Sequence, residues 1–216
     1  MNPPKAHADP YVSADFISAA LLWRKILKRI IDIVLSVFLG ILFLPLILFV
    51  ICRVRRDSKG SVYYSQERIG LDEKPFMMYK FRSMYENAEN ANFPMLSSDD
   101  DERVTPFGRF MRKYRIDELP QFWNVLKGDM SLVGPRPERR YYIDQIVQTS
   151  PEYKRLLCVK PGLTSWGEVK YGYASSVEQM IERMVFDLQY IDNMSLSTDF
   201  KILLYTVATV LKGEGK

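Results

Sequence analysis

Apolar residues in this chain change their spacing several times, and each change predicts an element. Residues 30–52, IIDIVLSVFLGILFLPLILFVIC, form an almost unbroken apolar run in which Asp32 is the single charge. The run is long enough to enter or cross a bilayer. It starts too late, extends too far and lacks the small-residue cleavage site of a secretory signal. Arg24, Lys25, Lys28 and Arg29 precede it and Arg53, Arg55 and Arg56 follow it, so the distribution of positive charge sets no orientation. Pro45 interrupts the run, and a proline inside a helix removes a hydrogen bond and bends the chain. A kinked span and a segment returning to its starting side both satisfy this pattern. Residues 11–28 predict an amphipathic helix with Phe16, Ile17, Ala20, Leu21, Trp23 and Leu27 among Arg24, Lys25 and Lys28, suited to a membrane surface or to a core. Residues 1–10, with Pro3, Pro4 and Pro10, predict disorder.

Beyond the apolar run the periodicity shortens. Residues 61–66 alternate, with Val62 and Tyr64 on one face, residues 76–81 read as a second strand, and 70–74 read as the turn of a small β-hairpin. Residues 120–127 predict a helix, with Pro120 in its first turn and Gly128 as its stop. Residues 137–157 predict two helices, the second starting at Pro151, and Lys160-Pro161-Gly162 reads as a turn before a short strand or loop at 163–169. Residues 176–192 carry Val177, Met180, Ile181, Met184, Leu188 and Ile191 at helical spacing, the signature of a core face. Residues 199–211 predict an apolar helix that packs under the domain or lies at a bilayer interface. The fold class expected is α/β, mostly helical and membrane-associated: a membrane helix broken at a proline, a small β-hairpin and amphipathic interfacial helices.

Composition narrows the chemistry. With 216 residues and 47% hydrophobic content the chain can build a real core. Its net charge of +4 is mild and its aromatics are not interleaved with basic residues, which argues against nucleic acid as a partner. The single histidine, His7, stands in the polar N-terminal tail, which excludes histidine triads and histidine-ligated zinc and leaves Asp, Glu, Lys, Arg and Tyr for catalysis. Cys52 and Cys158 are isolated, without metal-ligand spacing, and read as reduced core or membrane residues. The acidic stretch at 97–102 lacks the glycine turn and distal glutamate of a calcium loop.

The chemistry concentrates in residues 109–137, RFMRKYRIDELPQFWNVLKGDMSLVGPRP. Asp117 and Glu118 stand between Arg109, Arg112, Lys113 and Arg115 on one side and Arg136 on the other. Cations around an acidic pair suit a phosphorylated substrate that must meet a carboxylate, because Arg binds phosphate oxygens bidentately. The start of the 120–127 helix is expected to keep the adjacent carboxylates ionised, and an ionised carboxylate can act as a nucleophile. A surface ion-pair network would use the same charges. The Gly134-Pro135-Arg136-Pro137 turn favours the functional reading, because two prolines fix the backbone around one arginine. Lys80 and Arg82, at the end of the second strand, add two further cations suited to phosphate.

These residues bear a resemblance. Lys28-Arg29-Ile30-Ile31-Asp32, the proline-broken apolar run, Gln66-Glu67-Arg68-Ile69-Gly70, Tyr79-Lys80-Phe81-Arg82-Ser83-Met84, Asp117-Glu118-Leu119-Pro120-Gln121, the run from Asn124 to Pro137 and Lys160-Pro161-Gly162-Leu163-Thr164 resemble the bacterial sugar transferases, the monotopic polyprenyl-phosphate glycosyl-1-phosphate transferases. The resemblance covers about residues 25–212. It implies a re-entrant membrane helix at 28–56, after a tail and interfacial helix at 1–27, and a catalytic domain at 57–216 on the cytoplasmic face of the bacterial inner membrane. It implies transfer of a sugar-1-phosphate from a UDP-sugar to undecaprenyl phosphate, with Mg2+, as the first membrane step of exopolysaccharide, O-antigen or lipopolysaccharide synthesis. Asp117 would be the nucleophile forming a phosphosugar-enzyme intermediate and a metal ligand, with Glu118 positioning the metal or the incoming phosphate. Arg112 and Arg136 would hold phosphate oxygens, with Lys80, Arg82 and Arg115 behind them and Pro135 and Lys160 completing the substrate site.

Downstream glycosyltransferases would follow as partners, and a homo-oligomer is compatible with the chain. Many relatives carry Ser-Pro at the membrane break, whereas Leu44 precedes Pro45 here, and a leucine cannot re-satisfy freed backbone groups. Larger relatives carry further membrane helices and a nucleotide-fold domain, and the present chain is expected to consist of the transferase module alone. Two other classes fit the same residues. A metal-dependent phosphotransferase would use the carboxylates without a covalent step, and a membrane-bound interaction protein would use the basic patches to grip anionic lipid.

Overall fold

The computed structural model describes residues 14–86, 88, 95–97 and 101–215, with side chains described from residue 24 onward in the first helix. The disorder expected at 1–10 lies outside these residues, as does the start of the helix expected at 11–28. In place of separate interfacial and membrane helices, one continuous helix, α1 (Ala14–Leu42), runs through both segments. It ends at Phe43, and α2 (Leu44–Asp57) departs at 62°. Pro45 lies in the first turn of α2 rather than inside one helix, and there its missing N–H leaves no bond unmade. Among the described residues no single helix is long and apolar enough to cross a membrane, whereas the bent pair together is.

α1 has two faces. Ile33, Val34, Val37, Phe38, Ile41 and Leu42 are exposed, and α2 continues this surface with Leu44, Leu48 and Phe49. The opposite face docks on the rest of the chain through polar contacts that the apolar pattern concealed. The buried Asp32 carboxylate accepts from Ser131 Oγ at 2.8 Å and the Leu132 N–H at 3.1 Å. Arg29 donates to the Val125 and Leu126 carbonyls at 2.6 and 2.8 Å, near the end of α4 (Gln121–Lys127), where carbonyls lack partners within the helix. Lys28 pairs with Asp199 at 2.7 Å.

The hairpin forms from β1 (Tyr63–Ile69) and β2 (Pro75–Phe81), paired antiparallel from Tyr63 opposite Phe81 to Ile69 opposite Pro75. Its first strand is displaced toward the C-terminus of the predicted segment because the 3-10 turn Leu71–Glu73 closes the hairpin. α3 (Pro106–Lys113), which the apolar pattern did not reveal, is capped by Thr105 and followed by α4, with Gly128 closing α4 at φ +94°.

β3 (Ser131–Val133) then pairs in parallel with β4 (Gly162–Thr164). The two backbones meet so closely that a Cβ at Gly162 would lie 2.2 Å from Gly134 N, so only glycine fits there. Between these strands lie α5 (Arg140–Thr149) and a 3-10 segment that starts at Pro151. After them come α6 (Trp166–Lys170), α7 (Val177–Asp192) and α8 (Leu196–Lys212). Met180 and Met184 of α7 are buried with Val177, Ile181, Leu188 and Ile191 packed around them, as the spacing predicted. The architecture is therefore mostly helical with two small two-stranded sheets. Cys52 and Cys158 are both exposed, so neither is a core residue; Cys158 lies on the outer side of the 3-10 segment, whose inner side chains are Tyr153, Leu156 and Leu157.

Candidate active site

Asp117 and Glu118 occupy a 3-10 turn, Ile116–Glu118, between α3 and α4. Arg115 enters that turn in the left-handed region at φ +52°, a strained conformation for a residue with a side chain. Asn124 on α4 fixes the turn relative to β2: its Oδ1 accepts from the Tyr79 N–H at 3.0 Å and its Nδ2 donates to the Met77 carbonyl at 2.7 Å. This registry brings Lys80 opposite Glu118, with Nζ 2.6 Å from Oε1.

A cavity of about 430 Å³ opens here, lined by Lys80, Arg82, Arg112, Arg115, Asp117, Glu118 and Arg136 from the predicted set. The same wall includes Glu138, Glu168, Arg68 and Arg183. Glu118 faces Lys80, Arg115 at 3.6 Å and Arg136 at 3.7 Å. Glu168 binds Arg115 at 2.8 Å and also binds Arg136. Glu138 holds Arg183 at 2.7 Å and Arg68 at 3.0 Å. Asp117 differs from all of these: its side chain is buried at 6% exposure and, among the described residues, has no hydrogen bond or ion pair.

The electrostatics follow. Burial pushes the Asp117 carboxyl up from its ordinary value, aided by Glu118 and opposed by Lys80, Arg112 and Arg115. Desolvation outweighs the favourable charges here, so the helix start does not by itself hold the Asp117 carboxyl at a low value. For Glu118 the balance reverses: burial would raise it, but Lys80, Arg136 and Arg115 hold it far below the usual carboxylate range. Burial acts against the charged Arg136 guanidinium, and Glu168, Glu118 and Glu138 more than offset it. Glu118 is thus committed to three protein cations, whereas Asp117 presents to the cavity a carboxyl with no direct ion pair or hydrogen bond among the described residues.

Of the remaining predicted residues, Arg112 lines the cavity with Nε on Ser83 Oγ and Nη1 on Ser97 Oγ. Arg82 is buried and donates through Nη2 to the Ser58 carbonyl at 2.6 Å. Pro135 is buried behind the wall, its carbonyl accepting from the Gly162 N–H at 2.9 Å, and does not line the cavity. Lys160 is not brought to the site. Its Nζ lies beside Gly128, near the Arg29 guanidinium, because the β4 crossing carries it toward α1. Pro45 stands at the bend, exposed on the apolar side. Glu168 escaped the reading of the sequence, although Ser165 followed three residues later by Glu168 is a helix-start signature, and Ser165 does cap α6. Glu138, following Pro137, carried no such signal.

The sequence profile of the bacterial sugar transferases matches residues 23–213. The chain is 43% identical over 189 residues to a UDP-N-acetylgalactosamine-undecaprenyl-phosphate N-acetylgalactosaminephosphotransferase of Aeromonas hydrophila, covering 88% of this chain and 44% of that protein. It is 40% identical over 186 residues to a UDP-glucose:undecaprenyl-phosphate glucose-1-phosphate transferase of Escherichia coli K12, covering 85% and 40%. It is 42% identical to the uncharacterized sugar transferase EpsL of Bacillus subtilis 168, covering 88% and 90%. The chain thus spans less than half the length of the first two relatives and nearly all of the third. With the profile matched from α1 to α8, and Arg68, Lys80, Arg82, Asp117, Glu118 and Arg136 of the resembling motifs lining one cationic cavity, the chain belongs to the bacterial sugar transferase family.

Proposed function

We propose that this protein moves a sugar-1-phosphate from a UDP-sugar to undecaprenyl phosphate through a covalent intermediate on Asp117. The observation carrying this reading is the buried Asp117 carboxyl, unpaired in a cavity where Glu118, Glu138 and Glu168 are each neutralised by arginine or lysine. The names of the relatives, which act on UDP-sugars and undecaprenyl phosphate, support the two substrates.

In the first step an Asp117 oxygen bonds to the phosphorus bearing the sugar, and the bond to the bridging oxygen breaks, so that UMP leaves with the electron pair. In the second, an oxygen of the lipid phosphate attacks the same phosphorus and the electron pair of the acyl-phosphate bond returns to Asp117. Burial favours the first step, because forming the acyl phosphate removes a poorly solvated negative charge. Arg115 and Arg136 are held in place by Glu118 and Glu168 and need little reorganisation to meet phosphate oxygens.

Among the described residues no three acidic, histidine or cysteine side chains gather as a metal cage. The donor set nevertheless fits Mg2+, which is commonly held by one or two carboxylates with substrate phosphates and water; Asp117 is the carboxylate free to contribute. The ion would neutralise charge on the leaving UMP. The exposed apolar surface of α1 and α2 would seat in the membrane, with the bend at Phe43 returning the chain to the cytoplasmic side. Asp117→Asn is expected to lower UMP release in the presence of undecaprenyl phosphate about a thousandfold or more, with an unchanged melting temperature. Near-wild-type turnover in that variant would exclude Asp117 as the nucleophile.

A further inference from the structure

The chain returns to the catalytic turn at the end of α8. Gly213 stops that helix in the left-handed region at φ +70°, and the Gly213 and Glu214 N–H groups donate to the Val210 and Thr209 carbonyls at 3.1 Å each. This reversal lays residues 213–215 across the end of α3, where the Gly215 N–H donates to the Lys113 carbonyl at 3.0 Å. The last carbonyls of a helix lack partners within it, and this bond supplies one. Gly215 is buried and lines the cavity that holds Asp117. A Cβ at this position would lie 2.4 Å from the Arg112 carbonyl oxygen, 2.8 Å from that of Lys113 and 3.0 Å from Arg115 Cγ. Two of these neighbours are backbone and cannot swing aside, so any side chain here forces the segment and α3 apart.

The residues beneath the segment lead into the site. The Arg112 carbonyl also accepts from the Arg115 N–H at 3.1 Å, and Arg115 takes φ +52° there, a conformation that persists only where its surroundings impose it. The Arg115 carbonyl then accepts from the Glu118 N–H at 3.2 Å, closing the turn that carries Asp117. The Arg115 guanidinium pairs with Glu168 at 2.8 Å and faces Glu118 at 3.6 Å. Arg115 is thus gripped at both ends, its backbone and Cγ under the segment after α8 and its guanidinium by two carboxylates of the cavity wall.

We infer that residues 213–215 form a strap that holds Arg115 in place for the donor phosphate, with Gly215 as a positioning residue. This rests on the proposed transfer and deepens it, because Arg115 meets phosphate oxygens from the backbone conformation that the strap imposes.

Gly215→Ala tests the strap, with Glu214→Ala beside it as a control that keeps the N–H bonded to Thr209 and alters an exposed side chain. Each is measured alone and in an Arg115→Gln background, by UMP release with Mg2+, undecaprenyl phosphate and either UDP-glucose or UDP-N-acetylgalactosamine. Gly215→Ala is expected to lower kcat/KM for the UDP-sugar about tenfold, the scale of loss for a displaced binding group, and to lower it no further in the Arg115→Gln background. Glu214→Ala is expected to stay within about twofold of its parent. A merely destabilised protein loses the same factor in both backgrounds, and that outcome, or an unchanged kcat/KM, overturns the assignment. Amide hydrogen exchange followed by mass spectrometry reads the strap without turnover. Gly215→Ala should speed exchange across residues 113–119 and leave α7 as it is in the wild type. Equal exchange in the two proteins, or faster exchange in α7 as well, overturns the strap. If the wild type releases no UMP with either donor, the proposed transfer fails on its own, and exchange at residues 113–119 decides whether the strap holds Arg115.

Discussion

Asp117 and Glu118 are adjacent, yet their surroundings move them in opposite directions, burial raising one and three cations lowering the other. Divergent carboxylates of this kind separate roles within one site. Glu118→Gln should therefore loosen Lys80, Arg115 and Arg136 without removing the nucleophile. The expected result is a loss in kcat/KM of about 10- to 100-fold, smaller than for Asp117→Asn, measured by UMP release. Asp187 is a second buried carboxyl, accepting from the Gly167 N–H at 2.8 Å and raised by burial to about 6. Its folded form binds the proton more tightly than the unfolded chain, whose value is 3.8. Its contribution is thus greatest below pH 4 and is lost as pH rises through 6, by about 3 kcal/mol. Asp187→Asn keeps an acceptor for Gly167 and removes this loss, so thermal melts should show the variant gaining on the wild type between pH 4 and pH 8. A constant difference across that range would contradict the assignment. The acidic pair and its local arginines were legible because they are contiguous. Glu138 and Glu168 were not, since the pairs Arg183 to Glu138 and Arg115 to Glu168 join residues 45 and 53 positions apart.

Long periodic segments announced themselves at the scale of elements, and short ones did not. α7 and the hairpin follow from spacing and alternation, whereas β3 and β4 have three residues each, too few for a period to show. Their pairing is fixed by Gly134 and Gly162 meeting backbone to backbone, a constraint that glycine spacing alone cannot locate. Missing it misplaced Lys160, which the crossing carries to Arg29 and away from Asp117. Asp32 likewise read as an anomaly in an apolar run, and the structure makes it the acceptor for both Ser131 and Leu132. Asp32→Ala should cost about 3 kcal/mol, the range for losing buried hydrogen bonds to a charged group, and lower the melting temperature in detergent. An unchanged melting temperature would show that the Asp32 contacts contribute nothing to the docking of α1.

For the whole molecule, the bent pair of helices joins an apolar surface to a cationic cavity at the end of α2. Re-entry places Lys25 and Lys59, both exposed, on the same side of the membrane. In a Cys52→Ser, Cys158→Ser background, cysteines at these two positions should react together with an impermeant thiol reagent in inside-out vesicles, and neither should react in right-side-out ones. Labelling from opposite sides would show a span. The apolar run made the exposed apolar surface of α1 and α2 legible in the sequence, whereas the bend between them depends on the break at Phe43, and that break is a matter of geometry.

Intact-protein mass spectrometry reads the covalent step on Asp117 without an intermediary assay. Detergent-solubilised protein is incubated with Mg2+ and either UDP-glucose or UDP-N-acetylgalactosamine, without lipid acceptor. A gain of one sugar phosphate is expected with one of these donors, with UMP released in equal amount and neither event in Asp117→Asn. UMP appearing only after undecaprenyl phosphate is added, with no mass gain at any time, would contradict the covalent step and establish direct transfer.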